Sequence, residues 1–153
     1  MQERVFPENM DSPIGICSDH AGYELKEYII NLMKAEGIDS KDYGCFSEES
    51  CDYPDFAHQL GYAIDSGKCK IGIAICGTGN GINMTLNKHQ KVRSALCWKE
   101  EIAFFARSHN NANVVTLPGR VVTHEEAIRI LKVFFETEFE GGRHQGRIDK
   151  IAL

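Results

Sequence analysis

The chain has 153 residues, of which 42% are hydrophobic and 25% charged, a balance typical of one globular domain with a core of ordinary size. The formal net charge of −5 argues against a nucleic-acid partner, because phosphate binding needs a basic face. The apolar runs are too short to span a bilayer, so no membrane partner is expected.

Residues 1–12 are polar and lack the apolar core of a signal peptide, so we expect a flexible N-terminal extension before one domain over residues 13–153. The domain shows a regular alternation of apolar runs and helix-compatible segments. In chain order these are strand 14–18, helix 22–36, strand 38–43, helix 54–66, strand 70–76, helix 81–88, strand 92–97, helix 99–108, strand 114–117 and helix 123–139. The alternation predicts an α/β fold, with a doubly wound, five-stranded parallel sheet and helices on both faces. Thr123 and Glu126 have capping-box spacing at the start of the last helix.

The turn after the third strand carries the most informative pattern of the chain. An apolar run ends at Cys76, and glycines follow at 77, 79 and 81. In a parallel sheet this places a thiol at the carboxyl end of a buried strand, beside backbone N–H groups and a helix start that favour anions. The turn lacks the third glycine of a dinucleotide fingerprint, because Ile82 stands there, and it has no GK[ST] sequence. A smaller anion therefore fits the turn better.

Asp19 and His20 directly follow the first strand, at the same edge as Cys76. Both residues can therefore face the crevice that Cys76 faces. Asp19 can instead serve only as the cap of the next helix, and His20 can be an ordinary surface histidine. The residues alone leave both alternatives open.

His109 precedes the fifth strand and is expected at the opposite, amino edge of the sheet. Since a strand of six residues spans roughly 20 Å, His109 is not expected to reach Cys76 of its own chain. It either pairs with the end of its own helix or completes the site of another subunit.

The tail contains GGRHQGR, in which Arg143 and Arg147 are four residues apart. On a helix they would point the same way and form a clamp for phosphate. The alternative is a solvated basic turn.

The six cysteines form no CxxC pair, and several end apolar runs. This pattern favours free, buried thiols and a cytoplasmic protein over disulfides or a zinc site.

Five ordered motifs resemble the ribose-5-phosphate isomerases of the B type, a family that also contains the galactose-6-phosphate isomerase subunits. The motifs are SDHAG (18–22), DYPD (52–55), CGTGNG (76–81), HNNANV (109–114) and GGRHQGR (141–147). The resemblance covers nearly all of residues 13–153. It implies a Rossmann-like fold, a homodimer or dimer of dimers with shared sites, and no metal or organic cofactor. It also implies interconversion of ribose 5-phosphate and ribulose 5-phosphate in the pentose phosphate pathway.

The resemblance also implies roles for individual residues. Cys76 matches the group that moves a proton between C2 and C1 of the sugar, and the turn from Gly77 to Gly81, with Thr78, would stabilise the enediolate. Asp19 and His109 match the residues that open the sugar ring by acid–base transfer. The expected phosphate and substrate contacts are His20, Tyr53, Gly77, Gly79, Asn80, Gly81, Asn110, Arg120, Arg143 and Arg147. A free thiol titrates near pH 8.5, and the helix start and nearby cations are the features able to lower the pKa of Cys76.

Three positions depart from the usual family pattern: Asn111 replaces an aspartate, Cys17 a small residue and Pro118 a glycine. We expect Asn111 to affect how His109 is held, and Cys17 to lie near enough to Cys76 to act as an unwanted redox partner. Two other functions remain open. One is isomerisation of galactose 6-phosphate or allose 6-phosphate, and the other is a non-catalytic phosphate- or nucleotide-binding module. The presence of Cys76, Asp19, His109 and both tail arginines in one chain favours the ribose enzyme.

Overall fold

A computed structural model describes residues 3–153 and contains five strands and six helices in alternation. The strands are β1 Ile14–Ser18, β2 Ser40–Asp42, β3 Gly72–Cys76, β4 Ser94–Leu96 and β5 Val114–Pro118. The helices are α1 Tyr23–Ala35, α2 Tyr53–Asp65, α3 Asn80–Leu86, α4 Glu100–Ser108, α5 His124–Glu136 and α6 Arg143–Ile148, and a 3₁₀ turn at His20–Gly22 precedes α1.

All strand pairs are parallel, and the strand order is β2-β1-β3-β5-β4. The predicted α/β fold with a doubly wound parallel sheet is therefore confirmed. The chain passes from β1 to one side and then returns to β3 on the other, so the strand order reverses between these two strands. Open parallel sheets bind ligands at such a reversal, beyond the carboxyl ends of the strands.

Helices cover both faces of the sheet, because alternate strand residues point to opposite sides. Ile73 and Ile75 of β3 belong to a core shared with α1, α4 and α5, whereas Ala74 and Cys76 belong to a core shared with α2 and α3. The three central strands, β1, β3 and β5, are buried on both faces, which explains their nearly continuous apolar runs.

Helix α5 begins as predicted, but it is shorter than predicted. The Thr123 hydroxyl accepts a hydrogen bond from the Glu126 backbone N–H at 3.0 Å and caps the helix. The prediction of helix to residue 139 is wrong, because Thr137 is already extended, with φ −87° and ψ 128°. Its hydroxyl donates to the Val133 carbonyl at 2.6 Å and satisfies one of the last carbonyls of the helix.

The segment before β1 contacts the domain at several residues, among them Val5 and Phe6. The backbone N–H groups of Val5 and Phe6 donate to the Glu36 carboxylate, and the Phe6 ring packs edge-on against Phe135 at 5.0 Å. Residues 1–2 of the expected extension lie outside the described residues, and its flexibility stays a prediction. None of the helices within residues 3–153 has both the length and the apolar character that crossing a membrane requires.

Candidate active site

The loops after β1, β3 and β5 meet where the strand order reverses, as expected from their place in the sheet. The Asp19 backbone N–H donates to the Ile75 carbonyl at 3.2 Å, and the Gly119 N–H donates to the Cys76 carbonyl at 2.8 Å. The Arg120 N–H donates to the Gly77 carbonyl at 2.9 Å. We call the residues gathered here the carboxyl-edge cluster, and its members are Asp19, His20, Tyr53, Cys76, Gly77, Thr78, Gly79, Asn80, Gly81 and Arg120.

Two side chains of this cluster, those of Tyr53 and Arg120, lie directly against its glycine turn. A Cβ atom added at Gly81 would stand 2.4 Å from Cζ of Tyr53, and one at Gly77 would stand 3.3 Å from Nη1 of Arg120. A larger residue at position 81 would therefore displace the tyrosine. The structure brings Tyr53 and Arg120 to the turn, as the sequence interpretation requires.

Gly79 is required by the shape of the turn. It has φ 80°, and an added Cβ would stand 2.3 Å from Cδ1 of Leu96. The Thr78 hydroxyl accepts a hydrogen bond from the Asn80 N–H at 3.3 Å, which leaves its own proton available for another partner. Thr78 and Asn80 are both exposed. They can therefore be reached by a ligand at the turn.

Cys76 is the last residue of β3 and lies almost buried beside the start of α3, with 4% of its surface exposed. Burial raises the pKa of its thiol, and the charge of Asp19 adds to this rise. Hydrogen bonds from the backbone N–H groups of Ile82, Gly79 and Gly81 act in the opposite direction. The net direction of the pKa is upward, so in this chain the helix start does not bring the pKa of Cys76 below its ordinary value. The physical reason is that desolvation of a thiolate outweighs what a helix of seven residues contributes.

Asp19 has the capping role that the sequence left open, and it also lies beside the thiol. Its carboxylate accepts the Gly22 N–H at 3.1 Å, which caps the 3₁₀ turn. Only 7% of its surface is exposed, and its charge affects the pKa of Cys76. A capping role and a place in the crevice therefore coexist in one residue.

His20 is oriented by a backbone contact. The Cys51 N–H donates to Nδ1 of His20 at 3.2 Å. Because Nδ1 is the acceptor, the neutral ring carries its proton on Nε2. His20 therefore has a defined N–H donor, as a phosphate contact requires.

A second group of side chains lies near the amino end of β5, and we call it the amino-edge cluster: His109, Asn110, Glu140, Arg143, His144 and Arg147. His109 caps the end of α4, and its Nε2 lies 3.4 Å from Oε2 of Glu140. The His109 and His144 rings stack with centroids 4.2 Å apart. Arg143 and Arg147 are exposed on the short helix α6, so the helical alternative for the tail is the one observed.

The two clusters lie at opposite ends of the same strands. Cys76 pairs with Pro118 in the register of β3 and β5, whereas Gly72 pairs with Val114 four residues earlier, about 13 Å away along the strand. No hydrogen bond or ion pair between described residues joins the clusters. The structure thus separates His109 from Cys76 within one chain, as predicted.

His144 and Glu140 were missed by the sequence interpretation. His144 stands between the two tail arginines, and burial is the main cause that lowers its pKa. Glu140 belongs to no motif, and only the fold brings it to His109. The position of His144 inside GGRHQGR could have marked it as a candidate. Its contact with His109, 35 residues earlier, could not be predicted from any local pattern.

The structure shows what surrounds Asn111 and Cys17, two of the positions that depart from the family pattern. Asn111 has φ 46°, and Nη1 of Arg107 donates to its side-chain oxygen at 3.0 Å. Its side chain therefore binds Arg107, while His109 contacts Glu140 and His144. Cys17 is fully buried, and its pKa is raised by burial, with Asp42 next in importance and Cys76 among the lesser causes. A redox role for Cys17 stays a prediction.

The fold and the carboxyl-edge cluster define a class: doubly wound α/β proteins that place a thiol and backbone N–H groups at the reversal of strand order, where open parallel sheets bind ligands. Similarity to known proteins identifies the family within this class to which the chain belongs. The model of the ribose/galactose isomerase family matches residues 14–151. The chain belongs to this family.

Individual relatives cover nearly the whole chain. The probable ribose-5-phosphate isomerase B of Mycoplasma genitalium is 44% identical over 144 residues, which are 93% of this chain and 95% of the relative. The ribose-5-phosphate isomerase B of Escherichia coli is 38% identical over 138 residues, which are 90% of this chain and 93% of the relative.

Solved structures of the same enzyme type superpose closely on this fold. The ribose 5-phosphate isomerase of Thermotoga maritima has a TM-score of 0.90 at 45% identity, with 94% of this chain and 99% of that chain covered. The Mycoplasma genitalium enzyme with bound ribulose-5-phosphate has a TM-score of 0.89 at 43% identity, with 94% of this chain and 95% of that chain covered.

Proposed function

We propose that this chain interconverts D-ribose 5-phosphate and D-ribulose 5-phosphate through an enediolate intermediate. The observation that carries the proposal is the position of Cys76. Its sulfur accepts hydrogen bonds from backbone N–H groups at the carboxyl edge of the sheet, where open parallel sheets bind ligands. Membership of the ribose/galactose isomerase family supports it, as does the relative that holds ribulose-5-phosphate at 43% identity. We place the reaction in the pentose phosphate pathway and the protein in the cytoplasm.

The isomerisation moves one proton between the neighbouring carbons C2 and C1 and a second proton from the C2 hydroxyl to the C1 oxygen, so the overall oxidation state does not change. Cys76, as the thiolate, takes the proton from C2 of the open-chain sugar and returns it to C1. Since the N–H groups of Gly79, Gly81 and Ile82 lie near the sulfur, they stabilise the thiolate itself. The backbone N–H of Gly77 and the Thr78 hydroxyl remain to donate to the enediolate oxygens. Each such donor stabilises the transition state by about 3 kcal/mol.

Ribose 5-phosphate is a closed ring in solution, so the ring must open before C2 can react. Opening needs one group that takes the hydroxyl proton and another that gives a proton to the ring oxygen. Asp19 and His109 have these roles in our proposal. Because they lie at opposite ends of the strands, His109 would act in the site of a second subunit.

Sharing of sites requires a homodimer or a dimer of dimers. Large apolar side chains remain exposed on the single chain, among them Tyr62 at 59%, Met84 at 66% and Trp98 at 50%. In our proposal, these side chains are candidates for burial between copies of the chain.

The substrate phosphate needs cations in a protein of net charge −5. Arg143 and Arg147 are exposed and lie four apart on α6, so their guanidinium groups can bind one phosphate together. His20 and Arg120 supply further donors at the carboxyl edge. Tyr53 and Asn110 are proposed contacts to the sugar.

The test is an isomerisation assay with purified protein in D₂O containing EDTA. We expect conversion of ribose 5-phosphate, with deuterium from the solvent entering the sugar at the carbons that exchange the proton. Galactose 6-phosphate and allose 6-phosphate are assayed in parallel. Turnover of a six-carbon substrate without turnover of ribose 5-phosphate would contradict the proposal, and binding of ribose 5-phosphate without any turnover would favour a binding module.

A further inference from the structure

Two histidines outside both clusters face each other through ring nitrogens. Nδ1 of His58, in α2, lies 2.8 Å from Nε2 of His89, in the turn after α3. On the other side of the same ring, Nδ1 of His89 lies 2.9 Å from Oδ2 of Asp65, the last residue of α2. The second oxygen of Asp65 accepts a hydrogen bond from the Lys91 backbone N–H at 3.0 Å. We call Asp65, His89 and His58 the Asp–His–His triad.

The ring of His89 is enclosed by α2. Only 8% of the residue surface is exposed, and a Cβ atom added at Gly61 would stand 2.4 Å from its Cδ2 and its Nε2. The ring therefore occupies the space that a glycine leaves on α2, and Tyr62 packs edge-on against it at 5.0 Å. The His89 backbone N–H donates to the Leu86 carbonyl at 3.1 Å, which ties the residue to the end of α3. The contact between the two rings is thus fixed by packing on both sides of His89.

Hydrogen-bond chemistry limits how many protons the two rings can carry. Burial raises the pKa of Asp65, but hydrogen bonds from the Lys91 N–H and the His89 ring lower it more, so the net pKa is lowered and the carboxylate is ionised at neutral pH. Nδ1 of His89 therefore donates to Asp65, and one proton lies between Nε2 of His89 and Nδ1 of His58. One extra proton fits on the outer nitrogen of His58. A second would place N–H groups on both facing nitrogens, which would repel each other at 2.8 Å.

The charged and titratable groups that face the rings come from α2 and from the turn after α3. Asp65 supplies a negative charge beside His89 and favours the first extra proton. The positive charge of Lys91 acts on Asp65 from the turn. Tyr62 stacks on His58 with centroids 6.1 Å apart, and a phenol is uncharged where histidines titrate. These surroundings accept one positive charge on the pair and give no support to a second.

We propose that the Asp–His–His triad is a pH-sensitive lock, which joins the ends of α2 and α3 while the rings share a proton and opens when both facing nitrogens are protonated. In the unfolded chain each histidine binds its own proton below about pH 6.5. The unfolded pair then holds two extra protons and the folded pair one, so stability falls as the pH falls through this range. Because α2 and α3 begin at Tyr53 and Asn80, the lock stabilises helices that lead into the carboxyl-edge cluster.

The lock is tested by urea unfolding of the full-length chain between about pH 8 and pH 5. The pair alone should raise the unfolding constant by up to about tenfold between pH 6 and pH 5, because unfolding takes up one more proton. His58→Gln leaves one histidine, which binds one proton in the folded and the unfolded chain alike, so this part of the rise should disappear. His124→Gln is the matched control, since it removes a histidine that packs against Tyr28, away from the triad, and should preserve the rise.

Two further variants distinguish a shared proton from two independent histidines. The double variant His58→Gln/His89→Gln should change the pH dependence by the same single proton as either substitution alone. A change twice as large would show that the histidines titrate independently and would overturn the lock. Gly61→Ala keeps both histidines but displaces the His89 ring, so it should abolish the same part of the pH dependence.

The protonation states are also measured directly in the unmodified chain by ¹H–¹⁵N NMR of the imidazole rings. At about pH 8.5, above the titration of free histidine, His58 and His89 should both carry their proton on Nδ1. A proton on Nε2 with a bare Nδ1 in either ring would overturn the lock, whatever the variants do. Equal pH dependence of His58→Gln and the unmodified chain would overturn it as well. Neither measurement involves ribose 5-phosphate, so the lock and the proposed isomerase fail separately.

Discussion

The carboxyl-edge cluster and the amino-edge cluster are built in different ways. Cys76 and Asp19 are nearly buried and are fixed by main-chain hydrogen bonds at the ends of β1 and β3. Arg143 and Arg147 are exposed on a helix of six residues, and the Glu140 side chain beside His109 is half exposed. The first cluster is positioned by the sheet, whereas the second depends on a loop, a short helix and, in our proposal, a second subunit.

We connect the two clusters with two different tasks, proton transfer at the carbons and binding of the phosphate. In our proposal, the nearly buried Cys76 thiol acts on the reacting carbons, where small displacements are costly. In our proposal, the exposed cations Arg143 and Arg147 bind the phosphate. Changes in the first cluster are therefore expected to lower kcat, and changes in the tail are expected to raise KM.

The largest effect is expected at Cys76. Cys76→Ala should lower kcat for ribose 5-phosphate by about 10²- to 10⁴-fold, because it removes the proton-transfer group. The fold should remain, since the change removes one atom, and the unfolding free energy should fall by about 1 kcal/mol. Steady-state kinetics and urea unfolding measure both.

The matched control for this variant is Cys97→Ala, which removes an equally buried thiol on the opposite face of the sheet. It should lose similar stability and keep its turnover. Equal turnover in Cys76→Ala and the unmodified chain would remove the thiol from the mechanism.

Arg147→Ala should affect binding more than turnover. Loss of a charge-assisted contact to phosphate should raise KM by about 10- to 100-fold, with kcat nearly unchanged. Lys150→Ala removes an exposed positive charge three residues further on and serves as the control. A larger fall in kcat than rise in KM would place Arg147 at the reacting centre instead of the phosphate.

The raised pKa of Cys76 predicts how its reactivity depends on pH. Only the thiolate is alkylated, so a raised pKa leaves a smaller reactive fraction at pH 7. The rate of iodoacetamide modification, followed by peptide mass spectrometry, should still rise above about pH 8.5, where a free cysteine levels off. The fully buried Cys17 should remain unmodified in the folded chain. A rate for Cys76 that levels off below pH 7 would show a lowered pKa and contradict this account.

The smallest effect is expected at a cap that belongs to neither cluster. Thr123→Ala removes the hydroxyl that accepts the Glu126 N–H and should lower the unfolding free energy by about 1 kcal/mol without changing kcat or KM. Thr123→Ser keeps the capping oxygen and should restore most of that stability. Loss of activity in Thr123→Ala would show that the scaffold around α5 is coupled to the site.

Local patterns were sufficient to predict the sheet and the residues at its carboxyl edge. The apolar runs and glycine turns fix where each strand ends, and in a parallel sheet these ends must meet. The tail required the structure, because Gly141 and Gly142 have positive φ and α6 begins there. The pKa of Cys76 also required it, since the balance between burial and N–H donors depends on how deeply the fold encloses the thiol.

The central claim is that one active site combines the carboxyl edge of one subunit with His109 of another. Two inactive variants, Cys76→Ala and His109→Asn, are unfolded together in equal amounts and refolded as a mixture. A mixed dimer then contains one site with both native residues, so random pairing should restore about a quarter of the native activity. Activity that stays at the sum of the two separate variants would show that each site is formed within one chain, and would contradict the account.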